Sequence, residues 1–402
     1  MDLKKRLARL DRLTSKRTGQ SPESVDAVSG EVLERALTGL GLEPVRTPAG
    51  EIWVREYRDE LAPPTKPLPD LAEFFTRARE ANPEPAELLL LDTETTGLAG
   101  GTGTLAFLVG VSWWEGEGLV TRQYFLAGPG REAALLSDLR RLGKRFRVVM
   151  TFNGASFDLP LLRTRSLMNR LPDPLAELVS WDLLVPARRL WGRLLPDCRQ
   201  QTLEVEVCGR RRGRGDIEGS QIPQTWFDFL GTGEVGLLPS VLRHNRRDMV
   251  GMADLLRRIV DAAAGIARSG QEIVEEPWQV LWAKARICER RRLNDAAASW
   301  MAAALSAAPV AVEHPRFVLD AVRILKRVAD WSLVEKVIAA ARTGGLEEPW
   351  LHREAAILYE HRLCRLETAL EHARLSGENH RVQRLQRRLR SRGSAQTKED
   401  RS

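Results

Sequence analysis

Four consecutive leucines run directly into acids: Leu88-Leu89-Leu90-Leu91-Asp92-Thr93-Glu94. An apolar run of this length ending in carboxylates reads as a buried strand. Side chains alternate across a strand, so Asp92 and Glu94 point the same way. Two carboxylates side by side repel unless a cation neutralises them, and hard divalent ions such as Mg²⁺ and Mn²⁺ prefer oxygen ligands. A strand end turning into a polar loop is the structural alternative for an isolated pair.

The residues around this run extend the pattern. Thr104 to Trp114 is expected to be a second strand, Gly116-Glu117-Gly118 a turn, and Leu119 to Leu126 a third strand. A helix over Glu132 to Leu142, a strand over Arg147 to Phe152, and helices over Asp158 to Met168 and Val241 to Ala264 follow. This is an α/β layout around a mixed sheet. Upstream, the sequence predicts a short basic amphipathic helix over residues 1–20, a strand over Glu51 to Val54, a proline-rich linker over Ala62 to Pro69 and a helix over Leu71 to Ala81.

From about residue 275 the strands stop. Glu276-Pro277-Trp278 recurs as Glu348-Pro349-Trp350. Ala283 then matches Ala355, Ala297 matches Ala369, and a middle unit near His314 aligns Ala321 with Ala285. The spacing is close to two periods of a helix-pair repeat of roughly 34 residues, and resembles tetratricopeptide-type repeats. The expected division is 1–84 as an N-terminal region, 85–265 as the α/β domain, 275–391 as helical repeats and 392–402 as a polar, disordered tail.

Three further segments bear on chemistry. Thr151-Phe152-Asn153-Gly154-Ala155-Ser156-Phe157-Asp158 ends a strand and opens a helix, so a third carboxylate emerges at a strand's C-terminal end. A first-turn acid favouring the helix dipole is the structural alternative for Asp158. In His244-Asn245-Arg246-Arg247-Asp248 a spacing of four puts His244 and Asp248 on one helix face. His244 is the only histidine among the first 313 residues, which favours a base over a surface ion pair. In Ser180-Trp181-Asp182-Leu183 the acid either supports the metal site or caps a helix, and the structural reading is favoured.

The blocks D-T-E-T-T-G-L, N-x-x-x-F-D and H-x-x-x-D, in this order, resemble the DEDD group of DnaQ-like 3′–5′ exonucleases in the ribonuclease H-like superfamily. The details look closest to the YprB-type group: Gly100-Gly101-Thr102-Gly103-Thr104 before Phe107-Leu108-Val109-Gly110, and Gly215-Asp216-Ile217-Glu218-Gly219 before Ile222-Pro223. The resemblance covers roughly residues 85–262. It implies a ribonuclease H-like mixed sheet flanked by helices, here followed by an all-α helical-repeat domain. It also implies Asp92, Glu94, Asp158 and Asp248 as ligands of two divalent cations, Mg²⁺ or Mn²⁺, and His244 as the catalytic base. Family members with a catalytic histidine usually place it five residues before the last Asp, whereas spacing four usually carries tyrosine. This chain has histidine at the tyrosine spacing. Candidate substrate contacts are Thr95, Gly97, Thr102, Thr104, Asn153 and Arg247.

The expected activity is 3′–5′ exonucleolytic hydrolysis of phosphodiester bonds in DNA or RNA, at a single strand or 3′ end. The net charge of +7 leans toward a polyanionic partner. Arginines crowd one region (Arg188, Arg189, Arg193, Arg199 and Arg210 to Arg214), either as a phosphate-tracking surface or as a solvated loop. Trp181, Trp191 and Trp226 lie nearby, either to stack on bases or to pack in the core. The rival class is a nucleic-acid-binding adaptor that uses a nuclease-like fold and a protein-binding repeat surface. No cysteine pair is spaced C-x-x-C, no secretory h-region is visible, and no apolar run is long enough for a membrane, so the expected compartment is the cytoplasm.

Overall fold

The computed structural model describes residues 30–65, 83–97, 103–211, 213, 216–264, 266 and 276–399, with side chains to Ser391. The expected helices in 1–20 and 71–81 lie outside these residues, as do residues 98–102, Arg212 and Arg214.

A seven-stranded mixed sheet organises the first two thirds of the chain, in the order β1-β2-β5-β4-β3-β6-β7. The strands are β1 (Glu43–Thr47), β2 (Gly50–Asp59), β3 (Leu88–Thr95), β4 (Ala106–Glu115), β5 (Gly118–Phe125), β6 (Val148–Thr151) and β7 (Val179–Asp182). Strands β1 to β5 pair antiparallel, while β3–β6 and β6–β7 are parallel. Strand β4 is central, and every residue from Ala106 to Trp114 is buried, as cover on both faces requires. The β4–β5 hairpin closes on Gly116 at φ 60°, a conformation that favours glycine at the first turn position.

The sheet reaches upstream of residue 85, because β2 pairs with the β5 edge from Trp53↔Phe125 to Asp59↔Leu119. The expected strand over Glu51 to Val54 is the first half of β2, where Ile52, Trp53 and Val54 are buried; its second half, Arg55 to Asp59, carries charges that hide its strand character in the sequence.

Alternation along β3 sends its two faces into different cores. Leu89 and Leu91 pack with α2 (Glu132–Gly143) and α3 (Asp158–Met168). Leu88 and Leu90 pack with α7 (Leu238–Ala264), the longest helix of the sheet-bearing part, through Met249, Met252 and Ala253. Asp92 and Glu94 continue this second face, so their neighbours come from α7. Between β7 and α7 lie α4 (Leu184–Trp191), α5 (Gln200–Glu206) and α6 (Ile222–Thr232), and α1 (Gly30–Gly39) precedes β1.

The C-terminal region is all helix. Helices α8 (Trp278–Arg290) and α9 (Asn294–Ala307), α10 (Pro315–Arg327) and α11 (Trp331–Thr343), and α12 (Pro349–His361) and α13 (Leu366–Leu375) form three successive pairs joined by short connections. The alanines matched across units, Ala283, Ala285, Ala297, Ala321, Ala355 and Ala369, are all buried, as close helix approach requires. The last helix, α14 (Asn379–Glu399), continues past Ser391 into the expected disordered tail, a stretch with no proline and several good helix formers. Its buried anchor is Glu360, which receives Arg381, Arg384 and Arg388. No described helix is long and apolar enough to cross a membrane.

The aromatic layer under β4 and β5 fixes α6. Trp226 is fully buried, stacks on Phe107 at 5.6 Å, and donates its indole N–H to the Leu126 carbonyl at 2.7 Å. Trp226→Ala is expected to cost about 3–5 kcal/mol in urea unfolding; a loss under ~1 kcal/mol contradicts this packing.

Candidate active site

The site lies where β3 meets α7. Asp92 sits opposite Gly110 of β4 and Glu94 opposite Leu108, and the β3–β4 register slips by one residue immediately after Glu94. A bulge at this point ends regular pairing beside the second carboxylate.

One turn of α7 supplies the opposing wall. Asn245, fully buried, donates from Nδ2 to Asp92 Oδ2 at 2.9 Å. Its own Oδ1 accepts from Gln123 Nε2 of β5 at 2.9 Å, and that nitrogen also donates to the Leu242 carbonyl at 2.8 Å. Gly110 leaves room for this amide: a Cβ there would lie 2.3 Å from Asn245 Oδ1. The sequence block containing Asn245 draws attention to its histidine and acid, and neither Asn245, Gln123 nor Gly110 is singled out there as a site residue. The available signals were a glycine inside a bulky strand and an amide on the apolar face of a helix.

His244 is 8% exposed and held at both ring nitrogens. Nδ1 lies 3.0 Å from Asp216 Oδ1, and Nε2 lies 3.3 Å from Asp248 Oδ2. Asp216 also pairs with Arg247 at 3.3 Å. With Nδ1–H donated to Asp216, the Nε2 lone pair faces the carboxylates. Ligand atoms of Glu94, His244 and Asp248 all lie within 4.8 Å of one another.

Asp158 opens α3 and approaches from the other side. Its Oδ1 accepts from the Thr93 hydroxyl, and Thr93 lies on the β3 face opposite Asp92. Asp182 is structural: its oxygens accept from the backbone amides of Asn153 (2.8 Å), Ala155 (3.3 Å) and Leu184 (3.0 Å). That clamp fixes the turn between β6 and Asp158, in which Asn153 adopts φ 63°.

The remaining candidates divide. Thr95 Oγ1 donates to the Gly97 carbonyl at 2.9 Å, and Thr104 is buried just beyond the loop. Thr102 lies outside the described residues. Arg247 is tied to Asp216, and Arg246 to Asp59 at 2.6 Å over the Tyr57 ring. Trp181 and Trp226 are fully buried and Trp191 is 7% exposed, so the three tryptophans are core and do not stack on bases.

Electrostatics make this cluster a poor resting place for bare charge. Burial pushes the Asp92 carboxyl well above the usual carboxylate range, and the Asp248 and Asp158 charges push it further, against the Asn245 hydrogen bond. Asp158 is also raised, chiefly by burial, against the hydrogen bond from Thr93. Oxygen donors with one imidazole, gathered and mutually repelling, fit a hard divalent cation.

Residues 89–260 match the family described as RNase_H superfamily, and the chain contains a domain of that superfamily. Among curated proteins, the chain is 37% identical over 171 residues to the uncharacterized protein YprB of Bacillus subtilis (strain 168). That match takes in 42% of this chain and 40% of the relative, less than half the length of either. Among solved structures, it is similar to the family B DNA polymerase from the hyperthermophilic archaeon Pyrobaculum calidifontis, at 14% identity and a TM-score of 0.34, over 67% of this chain and 37% of the polymerase.

Two outcomes follow from this geometry. Asn245→Ala, and equally Gly110→Ala, is expected to weaken Mn²⁺ binding about 10–100-fold, as measured by calorimetric titration; unchanged affinity in both variants removes the Asn245 link from the site. The second concerns pH. Asp92 is raised in the folded protein, so whatever stability its protonated form contributes is present at acid pH and is lost as pH rises through its elevated titration range. Asp92→Asn keeps an oxygen to accept from Asn245 and carries no charge. In chelator, the variant should therefore melt higher than wild type at neutral pH, with the gap closing as pH falls toward the ordinary value of about 3.9. A gap that is absent or opens toward acid contradicts the crowding.

Proposed function

We propose that this chain is a divalent-cation-dependent nuclease of the DEDD, DnaQ-like type, hydrolysing phosphodiester bonds of DNA or RNA from a 3′ end. One observation carries the reading: Asp92 is buried within the field of Asp158 and Asp248, beside the Glu94, His244 and Asp248 group. The order of the D-T-E-T-T-G-L, N-x-x-x-F-D and H-x-x-x-D blocks supports the exonuclease subtype and its polarity.

Asp92, Glu94, Asp158 and Asp248 would hold two Mg²⁺ or Mn²⁺ ions, which supply water activation and neutralise the leaving oxygen. The chain's own residues do the rest. Asn245 fixes one oxygen of Asp92. Thr93 holds Asp158 at the strand edge. His244 Nε2 takes the proton of the attacking water, and Asp216 offsets the charge of the imidazolium that forms. Of the candidate substrate contacts, Thr95, Gly97, Thr104, Asn153 and Arg247 are read as meeting the strand end; Thr102 belongs to the same sequence block. A ligand role for His244 is the second reading, favoured by the proximity of its Nε2 to Glu94 and Asp248.

The helix pairs α8 to α13 are read as tetratricopeptide-like repeats, whose stacked surface is suited to a partner. The described cysteines are all free thiols, which fits work in the reducing cytoplasm.

The test is a product ladder from 3′-labelled and 5′-labelled DNA and RNA with Mg²⁺ or Mn²⁺. Wild type should shorten strands from the 3′ end, and Asp92→Ala should fall to background while remaining folded. His244→Ala should lose about 10²–10⁴-fold in rate yet keep its Mn²⁺ affinity; loss of Mn²⁺ binding instead assigns His244 as a ligand. Near-normal hydrolysis by Asp92→Ala sinks the site.

A further inference from the structure

We propose that the seam between the sheet-bearing part and the helical region binds the phosphate backbone of a nucleic-acid strand, through Arg189, Arg193, Arg286, Arg290 and Arg316. The choice of nucleic acid as occupant rests on the nuclease reading; the cluster itself does not.

Three helices bring these arginines together. Arg189 lies in α4 and Arg193 just beyond it, Arg286 and Arg290 lie on α8, and Arg316 lies in the first turn of α10. The seam is a continuous packed junction: Leu190 and Trp191 share one apolar core with Leu281, Trp282, Ala285 and Phe317. Arg193 is fixed by its guanidinium, 4.5 Å from the centroid of Trp282, and Trp282 is itself wedged against Trp278 and Phe317. The Arg193 guanidinium is therefore presented from a rigid base, with little side-chain entropy left to lose on binding.

The local carboxylates are already committed. Asp320 accepts from Trp282 Nε1 at 3.0 Å and pairs with Arg286 at 3.4 Å and Arg323 at 2.6 Å. Glu289 is taken by Arg323 at 2.7 Å and Arg327 at 3.3 Å. Arg286 Nη1 is buried with no hydrogen-bond partner among the described residues. Burial and the neighbouring guanidinium groups hold Arg193 and Arg290 below the ordinary arginine range. A polyanion relieves that repulsion, and the planar guanidinium fork suits phosphate oxygens.

Position favours a strand over an acidic protein. Helix α4 begins two residues after Asp182, the acid that clamps the Asn153 turn beside the candidate active site. Its eight residues lead about 12 Å from that turn toward the seam. A strand with one end at Asp92 has a basic track to follow, and the seam rewards strands long enough to reach it.

The test separates binding from chemistry. Anisotropy of a fluorescein-labelled single-stranded oligonucleotide is followed against full-length Asp92→Asn protein in EDTA, with and without Arg193→Glu and Arg290→Glu. The charge-reversed protein should bind at least tenfold more weakly, and its plot of log K against log salt should flatten by roughly 0.7 per lost contact. Because Arg193 packs on Trp282, the milder pair Arg189→Ala and Arg290→Ala is measured too, with an expected loss of a few fold at an unchanged melting temperature. Affinity and salt slope equal to the parent in both variants overturn the proposal. Labelled polyglutamate should bind at least tenfold more weakly than the oligonucleotide, and equal or tighter binding assigns the seam to an acidic protein instead. In the wild-type background, seam variants should hydrolyse a dinucleotide at the parental rate. A protein that binds through the seam but hydrolyses nothing leaves this inference standing and removes the nuclease reading.

Discussion

The hydrogen bond from Asn245 to Asp92 joins the two halves of the candidate site. It ties the end of β3 to α7, and through Gln123 it ties both to β5. The bond works against a gradient, since Asp92 is buried beside Asp158 and Asp248 and its ionised form is disfavoured. A structure built only for stability would place an apolar residue there. On the proposed nuclease reading a cation completes the group, and the crowding that disfavours bare charge is what would give the site its affinity for metal.

The sheet makes this arrangement possible with little else. Strand alternation aims Asp92 and Glu94 at α7, and the β3–β4 bulge stops the ladder beside them. The parallel pairing of β3 with β6 places Asp158 next to the same strand end. Asp92, Asp158 and Asp248, from three separate segments, thereby come together around the C-terminal end of β3. Asp182, a fourth acid, serves the convergence indirectly by holding the turn that delivers Asp158.

Local periodicity made much of this legible. Asp92 and Glu94 share a strand face, and His244 and Asp248 share a helix face, because spacings of two and four are backbone geometry. The strands β3, β4 and β5 and the helix from Asp158 to Met168 stand close to where their apolar patterns put them. Residues whose roles depend on distant packing were not legible. Asn245 and Gln123 meet across more than a hundred residues of chain, and Gly110 matters only because Asn245 passes over it. Asp216 was visible within Gly215-Asp216-Ile217-Glu218-Gly219, but its contact with His244 needed the fold. The arginine-rich stretch was ambiguous for the same reason: Arg189 and Arg193 acquire meaning from Arg286 and Arg290, which lie in another part of the sequence.

The most direct measurement of the central claim is anomalous diffraction from crystals soaked in Mn²⁺. The expected result is anomalous density within ligand distance of Asp92 and of the Glu94 and Asp248 carboxylates, absent from Asp92→Asn crystals soaked in the same way. Mn²⁺ density confined to other surfaces, with Asp92 still held by Asn245 and no ion beside it, contradicts the assignment of this cluster as a metal site.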